Sequence, residues 1–234
     1  MATKPFLLDN FKQHYSKNII VRTGIGSLPF ISTEEAIKYS LKHELPFLPE
    51  LYQKGEDFHF LSTEMNSCFM PFLEAILETK QAYFKLQLPG PFSGHQNPKV
   101  TIELINTYLK IFNHHKKDRQ CIPIIFLDEP RMNVRIDSNH NIYSQLLSVV
   151  DGIHCCNQFN LDQEFKNKNF SFISLDLKMH EKLLSESEND PSDQLIINGI
   201  NAPKQTNSKW RSYSCGLGLK TIAECEDIFS MLGL

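Results

Sequence analysis

Eight short apolar runs, separated mostly by helix-patterned segments, constrain this chain more than any other feature. They are Asn18-Ile19-Ile20-Val21-Arg22-Thr23, Leu45-Pro46-Phe47-Leu48-Pro49, Tyr83-Phe84-Lys85-Leu86-Gln87-Leu88, Ile122-Pro123-Ile124-Ile125-Phe126-Leu127, an extended stretch over 151–156, Phe170-Ser171-Phe172-Ile173-Ser174-Leu175, Gln194-Leu195-Ile196-Ile197-Asn198 and Trp210-Arg211-Ser212-Tyr213-Ser214. Between them, apolar residues recur at offsets of three and four, which predicts helices over about 33–42, 62–77, 98–115 and 142–150, with a last one from Thr221. Strands alternating with helices imply a parallel sheet, and eight repeats imply a single compact (β/α)8 TIM barrel. A doubly wound open sheet is the second choice. The polar stretch 201–209 is too short for a full helix, so one outer helix is expected to be missing. No internal repeat or linker divides the chain, and residues 1–234 read as one domain.

Charge excludes some partners. With 24 basic and 27 acidic residues the net charge is −3, which gives no broad electrostatic footprint for nucleic acid or a membrane surface. No apolar run approaches the roughly 20 residues of a membrane span. The N-terminal apolar segment breaks at Asp9, unlike a secretory signal, so a cytoplasmic protein is expected. Its six cysteines, at 68, 121, 155, 156, 215 and 225, are then expected to be free thiols, ligands or nucleophiles, with no CxxC pair for a four-cysteine zinc site.

Reactive side chains gather where the runs end. Ser27, Asp128, Glu129, His154, Cys156, Asp176 and Cys215 each sit at or just past such an end. In a barrel those ends meet on one face. In an extended chain residues i and i+2 share a side, so His154 and Cys156 project together, an imidazole and a thiol suited to Zn²⁺. Plainer readings stand beside these. Asp128-Glu129-Pro130 also fits a solvated turn, and Cys215 a small buried residue. Gly24-Ile25-Gly26-Ser27 lacks the full glycine fingerprint of a phosphate loop. Cys68, Cys121 and Cys225 fall in apolar patterns and are assigned to packing. His114 and His115 suit the C-terminal end of a solvated helix.

Five of these segments, in order, carry a family resemblance. Thr23-Gly24-Ile25-Gly26-Ser27-Leu28-Pro29, Leu88-Pro89-Gly90-Pro91-Phe92-Ser93, Phe126-Leu127-Asp128-Glu129-Pro130, His154-Cys155-Cys156 and Ser214-Cys215-Gly216-Leu217 resemble motifs of the catalytic barrel of cobalamin-independent methionine synthase. The wider superfamily includes uroporphyrinogen decarboxylase. The resemblance implies a zinc-dependent methyltransferase of methionine biosynthesis that moves a methyl group to a thiol, homocysteine. It implies His154, Cys156 and Cys215 as zinc ligands, with Asp176 where the family has a Glu. It implies Ser27 against the substrate carboxylate and Asp128 against the substrate ammonium group, and it assigns no side chain a general acid or base role. Cys155 is expected to point away into packing.

The family's full-length enzyme has a further N-terminal barrel that helps bind folate, for which these residues show no counterpart. The methyl donor, a folate or a corrinoid protein, is therefore left open. Two rival readings stand: a degenerate, non-catalytic barrel that binds metal or a small amino acid or serves as a partner subunit, and a metal-free decarboxylase.

Overall fold

The computed structural model describes residues 4–15, 21–25, 27–30, 32–51, 65–91, 97–129, 145–155, 171–176, 195–200, 210–213 and 221–232. In chain order the elements are α1 (Lys4–His14), β1 (Val21–Thr23), β2 (Ser27–Leu28), α2 (Thr33–Ser40), β3 (Glu50–Leu51), α3 (Phe69–Glu78), β4 (Tyr83–Pro89), α4 (Pro98–His115), β5 (Ile122–Asp128), β6 (Gly152–Cys155), β7 (Phe172–Asp176), β8 (Leu195–Ile200), β9 (Trp210–Tyr213) and α5 (Ile222–Leu232).

Local chemistry explains where the helices start. Ser32 caps α2 by accepting from the Glu35 amide at 3.2 Å, and Glu34 and Glu35 place negative charge in the first turn. Asn97 caps α4 by accepting from the Lys99 amide at 3.0 Å, with Pro98 in the first helical turn, where a missing N–H costs nothing. Thr221 and Glu224 close a reciprocal box before α5: the Glu224 amide donates to Thr221 Oγ1 at 3.3 Å and the Thr221 amide to Glu224 Oε2 at 2.8 Å.

Seven strands form one sheet in the order β1-β9-β8-β7-β6-β5-β4, and every pairing is parallel. A separate parallel pair joins β2 to β3, with Ser27 opposite Glu50. Alternation along the strands builds two layers. Phe84, Leu86 and Leu88 of β4, Ile125 and Leu127 of β5 and Ile153 of β6 pack with Phe72, Ile76, Ile105 and Tyr108 of α3 and α4. On the other face Tyr83, Ile124, Phe126 and Phe172 pack with Phe11 and Tyr15. Phe11 meets Tyr83 and Phe172 edge-on, each with ring centroids 5.0 Å apart, so α1 covers this face at the start of β4 and β7.

The expected (β/α)8 barrel is corrected. That fold needs eight strand–helix units, whereas the described residues hold five helices, a seven-stranded sheet and a detached two-stranded one. The run Leu45–Pro49 does not become a ladder strand. Pro46 and Pro49 have no N–H to donate, so it forms a single bridge, Phe47 with Lys85, and the nearby strand is the two-residue β3. Segment 45–48 still touches both edges of the large sheet: the Leu45 amide donates to Arg22 O at 3.1 Å, the Lys85 amide to Pro46 O at 2.6 Å and the Leu48 amide to Lys85 O at 2.9 Å. The doubly wound alternative is not observed either, because strand order never reverses between β4 and β9.

Smaller differences also have reasons. The described part of the expected helix 142–150 has helical backbone only at 145–146 and turns at 147–149, while 142–144 lie outside the described residues. Helix α1 was not anticipated. Cys225 is buried in α5, but Ile222, expected on the buried face, is 51% exposed in the helix's first turn. Cys68, Cys121 and Cys225 are buried, as their apolar surroundings suggest. His114 and His115 are exposed in the last turn of α4. Among the described residues no helix is long and apolar enough to cross a membrane.

Candidate functional site

All seven strands of the large sheet run parallel, so their C-terminal ends lie along one side, the side on which open and closed parallel sheets bind ligands. On the face that carries Tyr83 and Phe126, the side chains change character toward that end. Apolar rings give way to Lys85 and Gln87 on β4, Asp128 on β5, His154 on β6, Ser174 on β7, Thr23 on β1 and Ser212 on β9. Except for the partly buried Gln87, all are buried, Asp128 at 2% exposure and Lys85, His154 and Ser174 at 0%. Buried polar side chains need partners, so this concentration needs a reason.

Two of the residues singled out from sequence, Asp128 and His154, are placed next to one another, and Ser174 joins them. Asp128 and His154 are direct partners in the β5–β6 register, and His154 is the partner of Ser174 across β6–β7. His154 Nδ1 lies 2.9 Å from Ser174 Oγ. A hydrogen bond at one imidazole nitrogen orients the ring and, with the proton at Nδ1, keeps the lone pair at Nε2. The backbone around them is tied as well: the Glu129 amide donates to His154 O and the Gly90 amide to Asp128 O, both at 2.9 Å.

Ser27 enters through its backbone. It pairs with Glu50, whose carboxyl is held up by burial and, secondarily, by the charge of Asp128. The side chains of Ser27, Cys155 and Asp176 lie outside the described residues, although Asp176 ends β7, opposite Gly199 of β8. Cys156 directly follows β6 and Cys215 comes two residues after β9; both lie outside the described residues, as does Pro130. Among the described residues no group of three or more His, Cys, Asp or Glu side chains could hold a metal ion. The donor type at 154 is compatible with zinc: a fully buried imidazole is held at one nitrogen by a hydrogen bond, as histidine ligands are, although here by a hydroxyl rather than the more usual carboxylate, carbonyl or water.

Electrostatics sharpens the picture around Asp128. Its Oδ2 accepts from Gln87 Nε2 at 2.9 Å, while Oδ1, Gln87 Oε1, Thr23 Oγ1 and Ser212 Oγ are buried without a hydrogen-bond partner among the described residues. Burial pushes the Asp128 carboxyl up to about 6, against Lys85 and the Gln87 bond, which both pull it down. Burial raises Glu50 to about 7, and the charge of Asp128 adds to that. Lys85 is pulled down to about 7 by burial, with Asp128 opposing. Two acceptor oxygens, Asp128 Oδ1 and Gln87 Oε1, are thus left over beside a carboxylate. That set suits a ligand ammonium group.

Lys85, Gln87 and Glu50 are the residues that sequence reasoning missed. The alternation of Tyr83–Leu88 looked like one wet and one dry face. In a parallel sheet both faces are covered, so a Lys and a Gln in such a run already indicate a polar interior. Gly90 has a related reason: a Cβ there would collide with the carboxyl end of the fully buried Glu129 side chain, which packs on the bare backbone.

No protein-family model, no curated protein and no solved structure matches the chain.

Proposed function

We propose that this protein is a zinc-dependent thiol methyltransferase of the cytoplasm, acting on homocysteine to give methionine, with a folate or a corrinoid protein as methyl donor. The observation that carries the reading is the placement of Asp128 and His154, 26 residues apart, as register partners at the ends of adjacent parallel strands. The resemblance of five ordered motifs, which include Asp128 and His154, to those of methionine synthase is what assigns these residues their roles.

The ligands would be His154, Cys156 and Cys215, with Asp176 as the carboxylate. When bound, zinc supplies the positive charge that makes a substrate thiol a thiolate nucleophile at neutral pH. The chain's own residues do the positioning. Ser174 orients the His154 ring. Asp128 Oδ1 and Gln87 Oε1 receive the amino group of the substrate. Ser27 is assigned to the substrate carboxylate. Buried acceptors left unpaired by a substrate without an ammonium group would make the site reject it strongly.

The test is metal content followed by turnover. Protein expressed with supplementary zinc should carry about one zinc per chain, and Cys215→Ser should lower that content. Substoichiometric zinc in the parent protein, or zinc unaffected by Cys215→Ser, overturns the reading. Methylation of homocysteine from methylcobalamin or a methyl-folate then separates the enzyme from a non-catalytic protein that binds the amino acid and does not turn it over.

A further inference from the structure

We propose that Lys85 is a positioning residue whose buried side chain fastens the β1–β2 connection at Gly24 to the inner face of the sheet, and thereby sets where Ser27 and Glu50 stand relative to Asp128.

Lys85 lies in the middle of β4 with 0% exposure. Its Nζ donates to Gly24 O at 2.7 Å, a contact across 61 residues of sequence, and it sits 4.6 Å from the centroid of the Phe126 ring. The same residue's amide and carbonyl bond to Pro46 and Leu48. One residue therefore ties together β4, segment 45–48 and the end of β1. Downstream of Gly24 come β2 and its pairing of Ser27 with Glu50. Downstream of segment 45–48 comes Glu50 itself. The two strands of the parallel β2–β3 pair are thus both anchored on Lys85, each just before its first residue.

A packing role alone does not account for a lysine here. An ammonium removed from water is unfavourable unless its donors and charge are answered. Here a carbonyl, an aromatic face and the nearby Asp128 carboxyl answer them, and burial leaves the amine near neutrality, still able to donate to Gly24 O. Methionine, of similar length, would fill the same space without holding anything.

The substrate half of this inference rests on the homocysteine reading; the structural half does not. The test uses the full chain and hydrogen exchange without ligand. In Lys85→Met, the amides of Ser27, Leu28, Leu48, Glu50 and Leu51 are expected to exchange about tenfold faster, with α4 amides unchanged, because only the local fastening is lost. In the same variant KM for L-homocysteine should rise about tenfold with kcat within threefold. If the substitution loosens α4 as well, Lys85→Ala is compared with and without propylammonium. Recovery of protection at 27–28 with propylammonium and not with propanol supports the fastening role. Unchanged exchange in Lys85→Met, or equal recovery with propanol, overturns it. Faster exchange at 27–28 in a protein whose parent form binds no homocysteine supports the Lys85 inference and overturns the substrate assignment.

Discussion

His43 is packed between Tyr39 and Phe47, its ring edge-on to both, with Nδ1 3.2 Å from the carbonyls of Tyr39 and Ser40. Burial lowers it to about 4 from 6.5, against those two hydrogen bonds and Glu44. The folded protein therefore holds this ring neutral while the unfolded chain takes up a proton below pH 6.5. Its contribution is complete above pH 6.5 and is lost as pH falls from 6.5 toward 4. The size is about 3 kcal/mol, from 1.36 kcal/mol per unit. Urea unfolding at pH 7, 5.5 and 4.5 should show that loss in the parent protein and a flatter profile in His43→Phe; parallel profiles would contradict it. His154, equally buried, is instead oriented by a side-chain hydroxyl at a strand end. At the same scale, Asp128→Asn keeps the shape but removes the charge facing a bound ammonium group. Homocysteine affinity should fall by about 2–3 kcal/mol, roughly 30- to 150-fold, measured by calorimetry.

Among the elements, β6 is the most tightly specified. A Cβ at Gly152 would stand 2.7 Å from two ring carbons of Phe126 and 2.9 Å from Phe172 Cβ, all from a core that cannot give way cheaply. Gly152→Ala should destabilise by about 1–3 kcal/mol, and Phe126→Leu in the same chain should recover part of it, read from urea midpoints. An unchanged or raised urea midpoint in Gly152→Ala would refute the crowding. Elements whose local rules agree were legible from sequence. α4 runs over the expected residues because cap, proline, apolar face and terminal histidines all coincide. β4 and β5 follow their apolar runs. Where two rules compete the pattern misleads. The apolar run at 45–49 looks like a strand, but its prolines cannot join a ladder. Helix α1 escaped because its one described buried residue, Phe11, and Tyr15 just past its end find their partners on β4 and β7, far along the chain.

At the scale of the whole molecule, the sheet lines up polar residues that sequence scatters over nearly 190 positions between Thr23 and Ser212. Asp128 and His154 could be read as neighbours because consecutive parallel strands pair. Lys85, Gln87 and Glu50 could not, because their roles come from contacts across the sheet face rather than along the chain. The proposed zinc site carries with it a coupling between metal and stability. Ligands drawn from β6, β7 and the residues after β9 would link three strands, so zinc should bind the folded chain and stabilise it by mass action. At free zinc 100 times its Kd the gain is about 2.7 kcal/mol, or roughly 5–10 °C in Tm for a chain of this size. Differential scanning fluorimetry after chelation, with and without added zinc, should show that rise in the parent protein. His154→Ala should lose most of it, and Ser174→Ala only a part, since the hydroxyl orients the ligand without supplying one. A parent protein whose Tm ignores zinc would count against the metal site. A full response in His154→Ala would place the metal elsewhere in the chain.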